Sequence, residues 1–451
     1  MGILLLISTG LFILGLSLHV IMLLAIIWVA LNAHILGYSF EVIRRMMNEG
    51  IFSALPAIYI FILIGMVIAS FMQSGTVASL IYYGLELLSP SLFLVVGLLM
   101  CSFMSVATGT SWGTAGTIGV VLMGIGATMH IPLPLVAGMV VAGATFGDKL
   151  SPVSDTTNLA AMSAGTGLYR HIRSMLYTTA PTYLLSLVIL GFLGWQYAGA
   201  SVPGQDIRQV QIALSGAFEL NPVLTLSPLL VLLGMGMLRL SPEVTMLASV
   251  FCAVAVAVFV QDVSFISAMN ALWINSPGNT GDADLDAMLG RGGMLSMAWT
   301  LFLSLMALAM GGILSASGFL RVLLQQSITR LKNITALIAA TIASGIAGNL
   351  AMGEAYISII LNCQLFRQSY ETQNIDKAVL SRSVEEGATL STGLIPWTTA
   401  GAFYAVTLGV PTLEYAPFAF LNYLNPLVSV AMASLGWGLF RRGSRTRETL
   451  D

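Results

Sequence analysis

The sequence predicts an all-α polytopic membrane protein of about 10 to 13 transmembrane helices, in two inverted repeats with broken helices or re-entrant hairpins. The first observation is the composition: of 451 residues, 57% are hydrophobic and only 8% are charged. A soluble protein would carry about 25% charged residues. The second is a series of long apolar runs, whereas the strands of a membrane β-barrel alternate in polarity. The third, which predicts the repeats, is a set of short motifs that recur at breaks between apolar runs.

Apolar segments and polar interruptions divide the chain into five regions. The first 18 residues lack a basic region and a cleavage site followed by a soluble domain, so we expect a membrane segment there and not a removed signal peptide. The five expected regions are N-terminal membrane segments with an amphipathic linker (1–50), a first repeat (51–196), connecting membrane segments with an external acidic loop (197–292), a second repeat (293–408), and a last membrane helix with a basic cytoplasmic tail (409–451).

Two pairs of similar segments indicate the internal repeat. Gly113-Thr114-Ala115 is similar to Gly353-Glu354-Ala355, and Gly147-Asp148-Lys149-Leu150-Ser151 is similar to Gly387-Ala388-Thr389-Leu390-Ser391. Both pairs have the same offset of 240 positions, from 113 to 353 and from 147 to 387. Each segment lies at a break in an apolar run, as broken helices would require.

The distribution of charge predicts how the repeats are oriented, because Lys and Arg favour the cytoplasmic side. Arg44 and Arg45 precede the first repeat, whereas Asp282, Asp284 and Asp286 precede the second. Basic residues follow the first helix of the second repeat and occupy the C-terminus: Arg321, Arg330, Lys332, Arg441, Arg442, Arg445 and Arg447. The first repeat is therefore expected to start inside and the second outside, with the acidic loop outside and the C-terminus in the cytoplasm.

The stretch from Asp148 to Asn158 is the strongest candidate for a functional site. Two carboxylates, Asp148 and Asp155, lie where the chain should be at membrane depth, and Pro152 breaks the helix between them. Charged groups and irregular backbone at that depth usually mark an ion or substrate path. Hydroxyl, amide and carboxylate oxygens are hard ligands for small cations. We expect Asp148 and Asp155 to bind Na⁺, with the neighbouring polar residues Ser151, Ser154, Thr156 and Asn158.

Lys149 adjoins Asp148, which suggests a structural ion pair within the broken segment. If that pair forms, Asp155 is the better candidate for exchanging a proton for a cation. A carboxylate held away from water binds its proton more tightly, because desolvation disfavours the charged form.

Other polar residues at the breaks complete the expected site. The first repeat contributes Thr110, Ser111 and Thr114, and the second contributes Glu354, Ser391 and Thr392. Glu385 and Glu386 follow Lys377 and Arg382, so they could act in ion pairing or gating or form plain salt bridges at the cytoplasmic surface. Trp397 could line the cavity or pack. The four histidines share no metal spacing; His130 and His171 lie near predicted segment ends and could titrate near neutral pH.

Three of these motifs resemble the NhaC family of sodium/proton antiporters. They are the segment from Gly147 to Leu159, the segment from Thr108 to Thr114, and the segment from Glu385 to Ser391 followed by Ile395-Pro396-Trp397. The resemblance covers most of the chain from Ile51 onwards. It implies a multi-pass antiporter of the inner membrane with inverted repeats, with Na⁺ and H⁺ as partners and no cofactor beyond the transported ions. The family also includes members that exchange sodium and lactate for protons and malate.

The sequence therefore predicts a secondary transporter that exchanges Na⁺ for H⁺ by alternating access. The alternative is a cation-coupled carrier of small organic acids or amino acids. An intramembrane protease is disfavoured because neither Gly-x-Gly-Asp nor His-Glu-x-x-His occurs. A passive channel fits the acid-bearing breaks less well than alternating access. The sequence has no basic patch of the kind that binds nucleic acid. The possibility of a homodimer is left open.

Overall fold

The computed structural model describes residues 2–52, 55–197, 204–319, 322 and 333–440. Most of these residues are helical, and no β-strand occurs among them. Among these residues, seven helices are long and apolar enough to cross a membrane, or up to nine if each of two bent helix pairs forms one span. The all-α membrane fold is confirmed. This count is lower than the expected 10 to 13 because some apolar segments form short helices that end at polar breaks, such as Ser227–Met237 and Thr399–Leu408.

The helices of the N-terminal half are numbered in chain order. They are α1 (Gly2–Ser8), α2 (Leu18–Ile35), α3 (Phe40–Phe52), α4 (Leu55–Gln73), α5 (Thr76–Leu87), α6 (Pro90–Thr108), α7 (Ser111–Thr114), α8 (Val120–Thr128), α9 (Leu133–Leu150), α10 (Asp155–Ala164) and α11 (Leu168–Trp195). Five-residue π-helical turns extend α1 (Thr9–Ile13) and join α7 to α8 (Ala115–Gly119).

The remaining helices follow the same numbering. They are α12 (Gly204–Ala217), α13 (Pro222–Thr225), α14 (Ser227–Met237), α15 (Pro242–Phe259), α16 (Phe265–Ala271), α17 (Ala283–Leu289), α18 (Ala298–Ala316), α19 (Ile334–Met352), α20 (Ala355–Thr372), α21 (Lys377–Thr392), α22 (Thr399–Leu408), α23 (Thr412–Tyr415) and α24 (Phe420–Ser434). The basic residues used above to orient the second repeat and the C-terminus (Arg321, Arg330, Lys332, Arg441, Arg442, Arg445 and Arg447) lie outside the described residues.

Helix bounds recur along the chain with an offset of 244 positions. Helix α6 begins at Pro90 and α19 at Ile334, an offset of 244 (90 to 334), and the two helices end with the same offset. The stretch from α7 to α8 matches α20 at both ends, and α10 matches α22 at both ends. The left-handed residues His130 and Asn374, which end matching helices, also share the offset. The chain thus contains two copies of one helical unit.

The structural register differs from the register of the sequence matches by four residues, about one helical turn. Gly353 corresponds to Gly109 in the structure and not to Gly113, and Glu354 corresponds to Thr110. The short sequence matches were one turn out of register because Gly and Ala recur throughout membrane helices. The inverted orientation of the two copies and the limits of the five regions stay predictions.

Each copy is broken at the same place by the same device. Gly109 and Gly353 adopt left-handed conformations, with φ of 71° and 70°, which residues with a Cβ rarely adopt. The next residue then caps the following helix: the side chain of Thr110 accepts from the Gly113 N–H, and that of Glu354 accepts from the Tyr356 N–H. These breaks turn polar side chains into the interior.

Close helix packing in each copy depends on small residues. A Cβ on Gly143 of α9 would meet the carbonyl oxygen of Leu98 on α6, and a Cβ on Gly387 of α21 would meet that of Ile342 on α19. The two pairs are related by the same offset of 244 (143 to 387, 98 to 342). Small residues let helix backbones approach in a membrane, where apolar burial gives little drive for association.

Candidate cation site between the two repeats

A small cavity of about 50 Å³ lies where the breaks of the two repeats meet. A space of this size holds a few water molecules. Three acidic residues line it, Asp148, Asp155 and Glu354, together with polar and aromatic residues and a few small or apolar ones: Ile60, Thr110, Ser111, Trp112, Thr145, Thr156, Ala355, Tyr356, Thr389, Thr392, Gly393, Thr399, Ala400 and Tyr404. No lysine, arginine or histidine is among the lining residues.

Most of the lining residues come in pairs that occupy equivalent positions in the two repeats. With the offset of 244, the pairs are Thr110 and Glu354, Ser111 and Ala355, Trp112 and Tyr356, Thr145 and Thr389, Asp148 and Thr392, Asp155 and Thr399, and Thr156 and Ala400. No pair has two acids. The cavity therefore lies at the interface of the repeats, with two carboxyl groups from the first and one from the second.

Asp148 is placed at the last turn of α9 and is buried. One carboxyl oxygen accepts a hydrogen bond of 2.7 Å from the Ser111 hydroxyl, but its Oδ1 has no hydrogen-bond partner. The hydroxyls of Thr389 and Thr392 on α21 also line the cavity without a partner. Buried polar atoms are almost always paired, so orphaned oxygens in one cavity suit an ion, a proton or water.

Asp155 lies at the first residue of α10, and its carboxylate is more accessible than the other two. Its Oδ1 accepts a 2.8 Å hydrogen bond from the Thr156 N–H, and its Oδ2 accepts one from the Tyr356 hydroxyl. A negative charge at a helix N-terminus is stabilised by the free N–H groups there. Asp155 therefore joins the two repeats at the edge of the cavity, with both oxygens in use.

Glu354 caps α20 and is buried. Its Oε1 accepts from the Tyr356 N–H at 3.3 Å, and its Oε2 accepts from the Thr399 hydroxyl at 2.6 Å. No three acidic, histidine or cysteine side chains of the described residues are grouped to hold one metal ion. A cation in this cavity would use one or two carboxylates with the surrounding hydroxyls, which are hard ligands suited to a group I or II ion.

Comparison with known proteins identifies the family of the chain. The model of the Na⁺/H⁺ antiporter family matches residues 1–195 and 143–437. The chain belongs to this family. It is 37% identical to the Na⁺/H⁺ antiporter NhaC of Alkalihalophilus pseudofirmus, over 97% of this chain and 94% of that protein. It is 35% identical to NhaC of Bacillus subtilis, over 93% of each chain. It is also 34% identical to the malate-2H⁺/Na⁺-lactate antiporter of Bacillus subtilis, over 86% of this chain and 83% of that protein.

The expected ion pair between Lys149 and Asp148 is wrong for this member of the family. Consecutive helical residues do not face each other, and the buried ammonium of Lys149 donates to the Asn425 side chain at 2.9 Å. The inference that Asp155 is the better exchangeable acid depended on that pair. The geometry reverses it, because Asp148 has a free oxygen and Asp155 has none.

Several predicted ligands hold the backbone of the breaks and do not line the cavity. The Ser151 hydroxyl donates to the Val106 carbonyl, and the Asn158 amide donates to the carbonyls of Pro152 and Ser154. The remaining three make similar local bonds: Ser154 caps α10, Thr114 donates to the Thr110 carbonyl, and Ser391 donates to the Gly387 carbonyl. Predicted residues that do line the cavity are Asp148, Asp155, Thr156, Thr110, Ser111, Glu354 and Thr392.

Glu385, Glu386 and Trp397 each follow one of the alternatives given above: Glu385 lies 2.8 Å from His171, Glu386 lies 3.9 Å from Arg382, and Trp397 packs in a buried apolar cluster. Both glutamates are fully buried, so the surface salt-bridge interpretation is wrong; Lys377 instead pairs with Glu371 at 3.4 Å. The Trp397 indole donates to the Leu350 carbonyl and is not among the cavity residues.

Sequence reasoning missed Tyr356, Thr399, Thr389, Thr145 and Tyr404 as cavity residues. Tyr356 follows Glu354 by two positions, and Thr399 follows the Ile395-Pro396-Trp397 motif by two positions. The correct repeat register would have found Thr399, which is equivalent to Asp155, but not the others, since Tyr356 is equivalent to Trp112 and Thr145 and Thr389 are equivalent to each other.

Proposed function

We propose that this protein exchanges Na⁺ for H⁺ across the cytoplasmic membrane by alternating access, with Asp148 as the carboxylate that binds either ion. The observation that carries the proposal is the lining of the cavity: three acidic side chains and no basic one. Such a lining attracts cations and repels anions. Membership of the Na⁺/H⁺ antiporter family supports the same activity. The proposal is a transporter and not an enzyme, in agreement with relatives that are named antiporters.

Exchange at Asp148 follows from its geometry. The free Oδ1 can bind a proton or contribute to Na⁺ binding beside the unpartnered hydroxyls of Thr389 and Thr392. Either ion neutralises the same negative charge, so the two occupants exclude each other. Ser111 keeps its hydrogen bond to the second oxygen in both cases and holds the carboxyl group in place.

The second candidate is exchange of organic acids, because one relative is named a malate and lactate antiporter. A dicarboxylate in this cavity would face three acidic side chains without an arginine or lysine, which is unfavourable for anion recognition. We therefore propose inorganic cations, and not organic acids, as the transported substrates.

The distribution of charge supports the inverted arrangement of the two repeats as part of this proposal. Three basic residues, Lys377, Arg367 and Arg170, lie near the turn at Asn374, and two acids, Glu371 and Asp376, pair there with Lys377 and Arg170. The equivalent turn at His130 shares a second cavity with two acids, Asp282 and Asp284, and one basic residue, Arg291. Lys and Arg favour the cytoplasmic side, so equivalent turns with opposite charge would lie on opposite faces.

The last described residues adjoin the basic turn, since the Asp376 N–H donates to the Phe440 carbonyl. This contact favours a cytoplasmic C-terminus. A homodimer remains a prediction.

The test uses purified protein in liposomes on solid-supported membranes, with jumps of Na⁺, Li⁺, K⁺, malate and lactate. Na⁺/H⁺ antiport predicts proton movement driven by Na⁺ with no organic acid present, and no signal with Asp148→Asn. A requirement for malate or lactate, together with counterflow of the labelled acid, would instead establish the organic-acid exchanger.

A further inference from the structure

The second cavity, beside the turn at His130, is much larger than the cation cavity. Its volume is about 530 Å³, whereas that of the cation cavity is about 50 Å³. Helices α8, α12 and α17 form most of its wall, together with Arg291 and Leu408. We call it the outer cavity, because the distribution of charge places this turn on the external face.

Helix α22 runs from the cation cavity to the outer cavity. Thr399, Ala400 and Tyr404 line the cation cavity, and Leu408, the last residue of the helix, lines the outer cavity. Tyr404 and Leu408 are four residues apart, which is a rise of about 6 Å along a helix. Only a thin layer of protein therefore separates the two cavities.

A segment of the first repeat follows the same course. The stretch from α7 to α8 begins with Ser111 and Trp112 in the wall of the cation cavity and ends with Thr128 in the wall of the outer cavity. Helix α22 contacts this stretch at α7, at the π-helical turn and at α8. A path between the cavities thus runs between segments of different repeats, so relative movement of the repeats opens or closes it.

Three aromatic rings fill the layer between the cavities. Phe61 of α4 stacks on Trp112 of α7 with ring centroids 4.8 Å apart. Phe403, which lies between Ala400 and Leu408 on α22, has its ring 5.6 Å from Phe61 and 5.5 Å from Trp112. Phe61 and Phe403 are at most 1% exposed. Rings packed this closely leave no room for water or an ion between them, and we call these three side chains the aromatic barrier.

The equivalent path towards the opposite face has different residues at the corresponding positions. With the offset of 244, α22 corresponds to α10, and Phe403 and Trp112 correspond to Leu159 and Tyr356. Leu159 is half-buried, and the Tyr356 hydroxyl donates to Asp155, which is exposed. Helix α10 leads from Asp155 towards the basic turn. The cation cavity is therefore reached from the basic face past Asp155, and it is closed towards the outer cavity.

We propose that the outer cavity is the external entrance for the transported cation, and that the aromatic barrier separates it from the cation cavity in this conformation. This inference rests on the proposed function and adds the external half of the path. The occupant is a hydrated group I cation, because an ion with six waters needs roughly 180 Å³ at about 30 Å³ per water, and the outer cavity exceeds this volume. The barrier opens when α22 moves away from α7, since Phe403 belongs to one repeat and Trp112 to the other.

The charged residues of the outer cavity suit passage and not tight binding. Asp282 and Asp284 are exposed, and the half-buried Arg291 donates to the Leu408 carbonyl at 3.5 Å. A positive charge is stabilised there, at the C-terminal end of α22. Two acids and one arginine leave little net charge, so the outer cavity should admit a cation without holding it. Loss of a single acid there should therefore change exchange little.

The test measures access with Ag⁺, a monovalent cation that reacts with thiols. In a chain whose cysteines Cys101, Cys252 and Cys363 are replaced by alanine, a single thiol is placed in the outer cavity by Ala287→Cys or in the cation cavity by Ala400→Cys. Membrane vesicles of either orientation receive Ag⁺, and the thiols that remain are labelled with a maleimide after denaturation. From the outside, Ala400→Cys should react several-fold more slowly than Ala287→Cys. From the inside, Ala400→Cys should react readily.

Removing one ring should open the path. With Phe403→Ala, the reaction of Ala400→Cys with external Ag⁺ should become several-fold faster, while its reaction from the inside should stay the same. Phe403→Leu, which keeps an apolar side chain, should give a smaller increase and provides a second variant if Phe403→Ala does not fold. The matched control is Phe366→Ala, which removes a buried ring of α20 from a separate apolar cluster.

Two results would overturn the proposal. An unchanged external rate in the Phe403 variant that folds, or an equal increase in Phe366→Ala, would show that the rings are not the barrier. Reaction of Ala287→Cys from the inside alone would show that the outer cavity is not an external entrance.

These measurements of access do not depend on Na⁺/H⁺ exchange. The expected pattern in a protein without proton movement driven by Na⁺ would keep the entrance and the barrier as a path for another cation, and would reject the proposed function. In a protein that exchanges the two ions, Phe403→Ala should also let Na⁺ flow down its gradient without movement of protons. Intact coupling in Phe403→Ala, with Ala400→Cys open from the outside, would overturn the role of the rings as a barrier to ions.

Discussion

Asp148 and Thr392 occupy equivalent positions in the two repeats, and their side chains line the same cavity. Each has an oxygen buried without a hydrogen-bond partner. The two repeats thus share one order of helices but differ in chemistry, since one contributes an acid at this position and the other a hydroxyl. This relationship leads to the first two predictions.

Asp148→Asn should abolish proton movement driven by Na⁺, because the amide keeps the size of the side chain but binds neither ion as a carboxylate does. Asp155→Asn should weaken transport less, since both oxygens of Asp155 already accept hydrogen bonds. Transport assays in proteoliposomes measure both, with Asp284→Asn, at an exposed acid in the first turn of α17, as the control. Loss of activity in Asp155→Asn with normal activity in Asp148→Asn would reverse the assignment.

Moving the carboxyl group across the repeat interface should restore part of the function. Asp148→Thr is expected to be inactive, and adding Thr392→Asp should recover measurable Na⁺/H⁺ exchange because the cavity regains its third acid at the equivalent position. The comparison is the initial rate of the double variant against Asp148→Thr alone at equal amounts of folded protein. Equal, background rates in both would show that the positions are not interchangeable.

Competition at one carboxylate predicts a specific dependence on pH. The apparent KM for Na⁺ should rise as pH falls, because protons and Na⁺ exclude each other at Asp148. The maximal rate at saturating Na⁺ should change much less on the acidic side, because enough Na⁺ displaces the proton. At high pH turnover should decline, since no proton remains to be carried back, so the profile is bell-shaped. Rates across a matrix of pH and Na⁺ concentration provide the test. A KM that is constant with pH would exclude direct competition.

The close crossing of α19 and α21 predicts a large effect of one methyl group. Gly387→Ala should lower the free energy of unfolding by about 1 to 3 kcal/mol, because the added Cβ meets the backbone of Ile342, which cannot move aside easily. The control is Gly234→Ala in α14, where a Cβ would meet nothing within 4 Å. Thermal unfolding in detergent, followed by fluorescence, compares the two. Equal melting temperatures would show that the crossing is not tightly packed.

The acids of the site were predictable because a carboxylate at membrane depth stands out in an apolar sequence. Asp148 and Glu354 were found in this way, and both line the cavity. Their hydrogen-bond partners were less predictable. Ser111 was named, but Thr399 lies 45 positions after Glu354, and no local pattern connects them.

Lys149 shows where local reasoning failed. Its neighbour in sequence is Asp148, yet its partner is Asn425, 276 positions away on α24. Adjacent residues of a helix project in different directions, so the identity of a buried partner depends on which helices pack together. Glu385 is a similar case, because its partner His171 comes from a helix in the other repeat.

The sequence by itself determined the helical membrane fold and the positions of the breaks, because apolar length, glycine and proline act locally on the chain. Only the tertiary structure decided the register of the repeat, which of the polar residues meet in one cavity, and which acid keeps a free oxygen. Those properties depend on contacts between helices far apart in the chain. In a membrane such contacts are selected by close packing and by the pairing of buried polar groups, and neither leaves a periodic pattern in the sequence.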